Sequence, residues 1–313
     1  MPVSPVPWPA IPLGDWQDTA QTVHLWTQIV GKTRMVHAPA LNHSWHVTLY
    51  VSARGLTTGP IDHPTTTFEI EFDFIRHQLR VTTVNGDERN FALRPMTVAE
   101  FYDTLMQTLR DLGVPTRIWS QPVELPDPVL RFPEDTIHSA YDARAMHDYW
   151  LVLVRVHRVF TMFRARFVGK VSPVQFFWGA FDLAVTRFSG RSAPLHPGGA
   201  PNCADWVMQE AYSHEVCSAG FWPGTGLGEA AFYSYAYPEP PGYREARVQP
   251  LEGAYHQAIG EFLLPYEAVR SAADPEATLL AFLQSTYEVA ADLGHWARAD
   301  LEWREQRASA QNS

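Results

Sequence analysis

The chain has 313 residues, of which 46% are hydrophobic and 13% aromatic, with 11 Trp and a formal net charge of -10. This is apolar material for two ordinary domains or for one larger body with a shared core, and it excludes a disordered chain. The acidic balance, with no basic block anywhere, disfavours nucleic acid and anionic membrane surfaces as partners; it leaves small molecules and other proteins, including a second copy in a homo-oligomer.

Two cysteines, Cys203 and Cys217, are too few for a disulfide framework. The opening stretch lacks the basic and apolar regions of a secretory signal, so the expected compartment is the cytoplasm. The longest apolar candidate, Trp150 to Phe167, is interrupted by Arg155, His157, Arg158, Arg164 and Arg166, so no membrane span is expected.

In chain order, Val23, Trp26, Ile29 and Val30 carry helical periodicity, and Trp45 to Ala53 then alternates as a half-buried strand. The polar face of that strand holds His46, Thr48, Tyr50 and Ser52, with Arg54 following. Phe68 to Phe74 alternates as cleanly, with Glu69, Glu71 and Asp73 on one side. Asn85-Gly86, between two β-rich runs, predicts a hairpin. A helix from Thr97 to Leu112 stops at Gly113. The Pro-rich stretch from Trp119 to Pro133 has the composition of a linker.

The second half repeats this order. Helical periodicity returns at Val156, Val159, Met162 and Phe163, and one ungapped register pairs Val23 with Val156, His24 with His157, Trp45 with Trp178 and Arg54 with Arg187. Phe232 to Tyr237 corresponds to Phe68 to Phe74, and a helix from Pro275 to Leu293 closes on Gly294. The expected fold is therefore α+β in two layers: two diverged α-β-β-β-α repeats whose mostly antiparallel sheets pack against helices. The expected boundaries are 1–118, a linker at 119–140, and 141–313 with an insertion at about 192–231, where function is sought first.

Within the insertion, Ala204 to Ser218 reads as a helix with Glu210, His214 and Cys217 on one face. A carboxylate can orient an imidazole, and an imidazole beside a cysteine can generate a thiolate; a capped surface helix with a buried Cys satisfies the same spacing. The following glycine-rich run, Gly220 to Gly228, lacks the lysine and serine of a phosphate loop and reads as a lid or a packed loop. Phe176 to Arg191 reads as a further strand, apolar on both faces apart from Asp182, whose ionised carboxylate needs a partner such as Arg187, Arg191, Arg164 or Arg166; an internal ion pair that fixes the sheet against its helix fits as well as a catalytic role. His46 is the better functional histidine of the pair His43 and His46, since odd spacing on a strand points the two apart.

The runs His24 to Lys32, Trp45 to Thr58, Phe181 to Arg191 and Ser213 to Gly224 resemble a bacterial family catalogued only as a domain of unknown function (5996). The resemblance spans nearly the whole chain and implies no activity, cofactor or catalytic residue.

The residues thus point to an enzyme acting on a small, anionic, partly apolar molecule. His214 would be the general acid or base, oriented by Glu215 or Glu210, with Asp182 and His46 in the same pocket. Arg187, Arg191 and Arg54 would hold the anion, and Trp178, Trp222 and Tyr237 the apolar part. No cofactor is specified; a divalent metal on His214, Glu215 and His46 is a variant not favoured, for want of three clear ligands. The alternatives are a non-catalytic binder of an aromatic or lipid-like small molecule using Trp178, Phe221, Trp222, Tyr233, Tyr235 and Tyr237, and an oligomeric protein whose exposed rings form an interface.

Overall fold

The computed structural model describes residues 8–303. In the first half, helix α1 (Gln17–His37) leads to β1 (Tyr50–Val51), β2 (Gly55–Thr57), β3 (Ile61–His63), β4 (Thr66–Asp73), β5 (Gln78–Thr83) and β6 (Glu88–Ala92), and helix α2 (Val98–Asp111) closes it. The second half begins with helix α3 (Ala143–Ala165), β7 (Gln175–Phe177), β8 (Asp182–Ser192), helix α4 (Asp205–Ala211), β9 (His214–Trp222) and β10 (Ala231–Tyr237). It ends with β11 (Ala254–His256), β12 (Glu261–Pro265) and helices α5 (Tyr266–Arg270), α6 (Pro275–Leu293) and α7 (Arg298–Leu301).

The strands form two antiparallel six-stranded sheets, one in the order β1-β2-β4-β5-β6 with β3 on β4, the other β11-β12-β10-β9-β8-β7. The fold is α+β, as the periodicities predict. The sheets meet edge to edge where Leu49 and Phe176 exchange backbone hydrogen bonds of 2.9 and 2.8 Å.

Local chemistry accounts for the elements. Thr97 caps α2 by accepting from the Glu100 N–H at 3.1 Å. The helix then buries Val98, Phe101, Leu105 and Leu109, and Phe101 stacks on Trp26 of α1 at 4.8 Å and on Phe72 of β4 at 6.2 Å. Along β4, Phe68, Ile70 and Phe72 are buried while Glu71 turns outward to Ser52 (2.8 Å) and Arg80 (3.2 Å). In the second sheet, Leu183, Val185, Cys217, Ala219, Phe221, Phe232, Phe262 and Leu264 form an inner face against α3 and α6.

Three local expectations are corrected. The strand expected from Trp45 to Ala53 shrinks to Tyr50–Val51, because Asn42–Ser44 forms a 3-10 turn with His43 and Ser44 at positive φ, and because side chains take its carbonyls: the Trp178 indole N–H donates to the Val47 carbonyl at 2.6 Å. The single strand through Phe176 to Arg191 divides into β7 and β8 around a turn in which Phe181 has φ of 59°.

The helix expected from Ala204 to Ser218 ends at Ala211, and His214 to Trp222 is a strand. The tertiary setting overrides the helical spacing there: this segment is the central strand between β8 and β10, and its small apolar residues suit a sheet bounded on both sides. Glu210, His214 and Cys217 therefore do not share a helix face, and Gly220 lies inside β9 rather than in a loop.

The Pro-rich stretch is bolted to α1. The Gln28 side-chain amide both donates to the Val123 carbonyl and accepts the Val123 N–H, each at 2.9 Å, and the Lys32 ammonium donates to the Gln121 carbonyl at 2.6 Å. These bonds satisfy two polar side chains that α1 otherwise buries.

Candidate functional site

Alternation along β10 turns Tyr233, Tyr235 and Tyr237 to the outer face of the second sheet, away from α3 and α6. Beside Tyr233 and Tyr235, β9 places Gly220 and Ser218, and β8 places Ala184 and Thr186. These small residues leave room for the rings to lie over the sheet. Gly220 is required: a Cβ there would overlap the end of the Tyr233 ring. Lying across Gly220, Tyr233 donates its hydroxyl proton to Oδ2 of Asp182 at the start of β8. Asp182 is 5% exposed, and its Oδ1 is buried with no hydrogen-bond partner among the described residues.

The segment between β8 and β9 folds across this face. The Tyr212 and Tyr235 hydroxyls are 2.7 Å apart, His196 stacks on Tyr212 at 4.7 Å and meets Tyr237 at 5.1 Å, and the Tyr237 hydroxyl donates to the Pro194 carbonyl at 3.0 Å. The Gln28 clamp sets the opposite wall. Next to Val123, Glu124 (φ 59°) donates its N–H to the Pro201 carbonyl at 2.7 Å and lays its carboxyl against Gly179 in the β7–β8 turn. Glu261, at the start of β12, continues the register that pairs β12 with β10 and so lies beside Tyr235.

Glu124 is exposed, and Glu261, Tyr212, Tyr233 and Tyr235 are half-buried, yet desolvation raises the pKa of every one of them. The crossing segment that carries Tyr212 and the opposite wall that carries Glu124 bound a recess over this face of the sheet. Burial, reinforced by the charge of Glu124 and opposed by the Tyr233 bond, pushes the Asp182 carboxyl up to about 7. Burial and then the charge of Asp182 push Glu261 up to about 7 as well. The tyrosine hydroxyls stay neutral, as donors. Among the described residues, no Lys or Arg is ion-paired or hydrogen-bonded to Glu124, Asp182 or Glu261, and the Lys32 ammonium is committed to Gln121 and to the Trp119 ring, 4.5 Å from its centroid.

Of the residues singled out from sequence, Asp182, Trp222 and Tyr237 belong to this face, with Trp222 5.7 Å from Tyr233. The three arginines lie elsewhere. Arg187 is fully buried on the inner face, its guanidinium 3.5 Å from the Phe163 ring centroid and 4.2 Å from that of Tyr287, donating to the Phe163 carbonyl. Burial lowers it to about 10. Arg191 pairs with Glu215 at 2.6 Å and Arg54 with Asp73 at 2.6 Å. Trp178 packs on Gly31 as a structural ring.

Glu210 and His214 gather around His43 instead. The Glu210 carboxylate accepts the His43 N–H at 2.8 Å, the His43 and His214 rings are 6.2 Å apart, and Lys170 Nζ is 2.5 Å from His43 Nε2. His46 accepts the Leu41 N–H at 3.2 Å. His214 and Glu215 are consecutive on a strand and face opposite sides of the sheet, so with His46 they do not make a common ligand set. Among the described residues no group of three His, Cys, Asp or Glu side chains is arranged to hold a metal ion.

Glu124, Glu261 and Tyr212 were missed from sequence. A signal existed for Glu261, a lone carboxylate at the head of the apolar run Phe262-Leu-Leu264; Glu124 and Tyr212 had none, because their role depends on where two irregular segments fold back.

Fold and site together define an α+β protein with a carboxyl- and tyrosine-lined recess on the outer face of one of its two sheets. The chain belongs to the Family of unknown function (DUF5996), whose model matches residues 8–303. No curated protein and no solved structure matches it. None of its helices, among the described residues, is long and apolar enough to cross a membrane.

Proposed function

We propose that the chain is an enzyme that moves a proton on a small molecule bound in the recess, with Asp182 as general acid or base. One observation carries this reading: a buried carboxyl with one oxygen held by Tyr233 and the other without a partner among the described residues, which burial pushes up toward neutral pH. A catalytic acid or base works best when its pKa is close to the working pH, and a bound donor or acceptor would complete the empty position on Oδ1. Glu261 is a second carboxyl held in the same range, and paired carboxyls of this kind serve as acid and base in turn. The neutral hydroxyls of Tyr212, Tyr233 and Tyr235 would orient polar groups of the substrate, and the rings would cover its apolar part.

The test has two parts. The Asp182 carboxyl should titrate near pH 7 by carbon-detected NMR, and turnover found by screening small molecules should be lost in Asp182→Asn. A carboxyl titrating near pH 4, or a substrate turned over equally well by Asp182→Asn, rejects the reading.

A second reading, a binding site for the anionic and partly apolar ligand expected from sequence, is supported by a separate cleft of about 450 Å³ that Tyr102, Arg117, Trp119 and Arg131 line. There the 58% exposed Trp119 ring lies over the buried Lys32 ammonium. Saturable binding of an indole carboxylate, lost in Arg117→Ala, tests it; retention in that variant rejects it. On the same footing we read the chain as a bacterial, cytoplasmic protein whose halves descend from one duplicated unit, a reading supported by the helix-sheet-helix order common to both and by two free cysteines.

A further inference from the structure

We infer that the recess takes an organic cation, a substituted ammonium or guanidinium group carried on a small apolar body, with Glu124, Asp182 and Glu261 supplying the counter-charge and Tyr212, Tyr233, Tyr235 and Trp222 the ring faces. This names the substrate class of the site proposed above and rests on that reading for the ligand's location.

Asp182 is acted on by the charge of Glu124 and itself acts on Glu261, and among the described residues no Lys or Arg is bonded to any of the three. Asp182 Oδ1, buried and without a partner among the described residues, is the independent sign of a missing ligand, since an orphaned buried acceptor is costly unless something completes it. A second anion would add to the repulsion, and a neutral molecule would leave it. A compact hydrated metal ion fits poorly, because the walls are mostly rings and no three-ligand set exists among the described residues. Rings are the right wall for a weakly hydrated organic cation. Trp222 and Tyr233 stand 5.7 Å apart and tilted, and Tyr233 and Tyr235 are stacked at 6.1 Å, so electron-rich faces adjoin the carboxyls.

Linkage adds a distinctive consequence. A cation that favours the ionised carboxyls must expel the protons that burial makes them keep, so binding near pH 7 releases protons to the buffer.

The experiment is isothermal titration of the full chain at pH 7 with choline and with its uncharged isostere 3,3-dimethylbutan-1-ol, in two buffers of different ionisation enthalpy. Choline is expected to bind at least about tenfold more tightly than the isostere, to release protons, and to weaken by about tenfold in Glu261→Gln and in Tyr235→Leu, each verified as folded by circular dichroism. Equal affinity for the isostere, uptake instead of release of protons, or unchanged affinity in both folded variants overturns the inference. So does saturable binding of magnesium, but not choline, at the same residues. The two proposals fail separately. If Asp182 titrates near pH 7 and choline does not bind, only the cation is wrong; if choline binds as described and Asp182 titrates near pH 4, the recess is a cation-binding site and the proton-transfer reading falls.

Discussion

The Tyr233 hydroxyl reaches Asp182 across the one strand that separates them, and it does so over Gly220, the one glycine of that strand, where an added Cβ would meet the ring. A tyrosine on β10 and a carboxyl on β8 thereby become one unit, although β9 lies between them.

Because that hydrogen bond stabilises the ionised form of Asp182 against burial, Tyr233→Phe should move the carboxyl's titration above its present value of about 7. A bond to a charged acceptor contributes about 1.5–3 kcal/mol, so the rise should be about one to two pH units. Carboxyl chemical shifts followed between pH 4 and 10 would show it; an unchanged titration would mean that the contact contributes little.

Asp182 also links stability to pH. Its carboxyl ordinarily titrates at 3.8 and is held at about 7 in the folded chain, so the folded state keeps a proton that the unfolded state has lost. Stability from this group is fully present below about pH 4 and falls as pH rises toward 7. At about 1.4 kcal/mol per pH unit between the two values, the loss is up to about 4 kcal/mol. Asp182→Asn removes the ionisation, so it should be more stable than the parent at pH 7.5 and should flatten the profile. Urea unfolding at several pH values between 4 and 8 measures both; a variant less stable than the parent at pH 7.5 contradicts the sign.

Gly220→Ala places a methyl group in the space occupied by the Tyr233 ring. The ring has to move, and with it the bond to Asp182. Overpacking of this kind costs about 1–3 kcal/mol. The expected result is a lower unfolding midpoint together with a displaced Asp182 titration, and an alanine variant with neither change would show that the ring yields freely.

Arg187 is a test of the opposite face. Its guanidinium is enclosed by Phe163, Phe167 and Tyr287 with no ion-paired carboxylate, and Nε and Nη1 have no hydrogen-bond partner, among the described residues. Desolvation is therefore poorly offset, and a well-packed apolar residue of similar length should serve as well. Arg187→Met should match or exceed the parent's stability, while Arg187→Ala, which leaves a cavity, should lose about 2–5 kcal/mol. Neither should alter ligand binding in the recess, which lies across the sheet. Loss of binding in folded Arg187→Met would place this arginine in the site after all.

Much of the fold was legible because its cause is local. The helical stripe of α2 with Thr97 as cap, the hairpin at Asn85-Gly86, the alternation from Phe68 to Phe74 and the α6 helix from Pro275 to Leu293 all follow from side-chain period and end signals within a few residues. Where local preference competed with pairing, sequence spacing misled: Glu210, His214 and Cys217 have helical spacing, but the central place of β9 in its sheet made a strand of the last two.

The sequence by itself determined which residues have an inside and an outside, and with that the α+β class and the outward row of Tyr233, Tyr235 and Tyr237. Only the tertiary structure decided that Glu124, Asp182 and Glu261 converge, that Gly220 gives Tyr233 its path, and that Arg187 turns inward. The reason is physical. Periodicity is a property of consecutive residues and specifies a face, whereas a site is a coincidence of distant segments, here brought about by the Gln28 clamp on Val123 and the crossing of Tyr212 onto Tyr235.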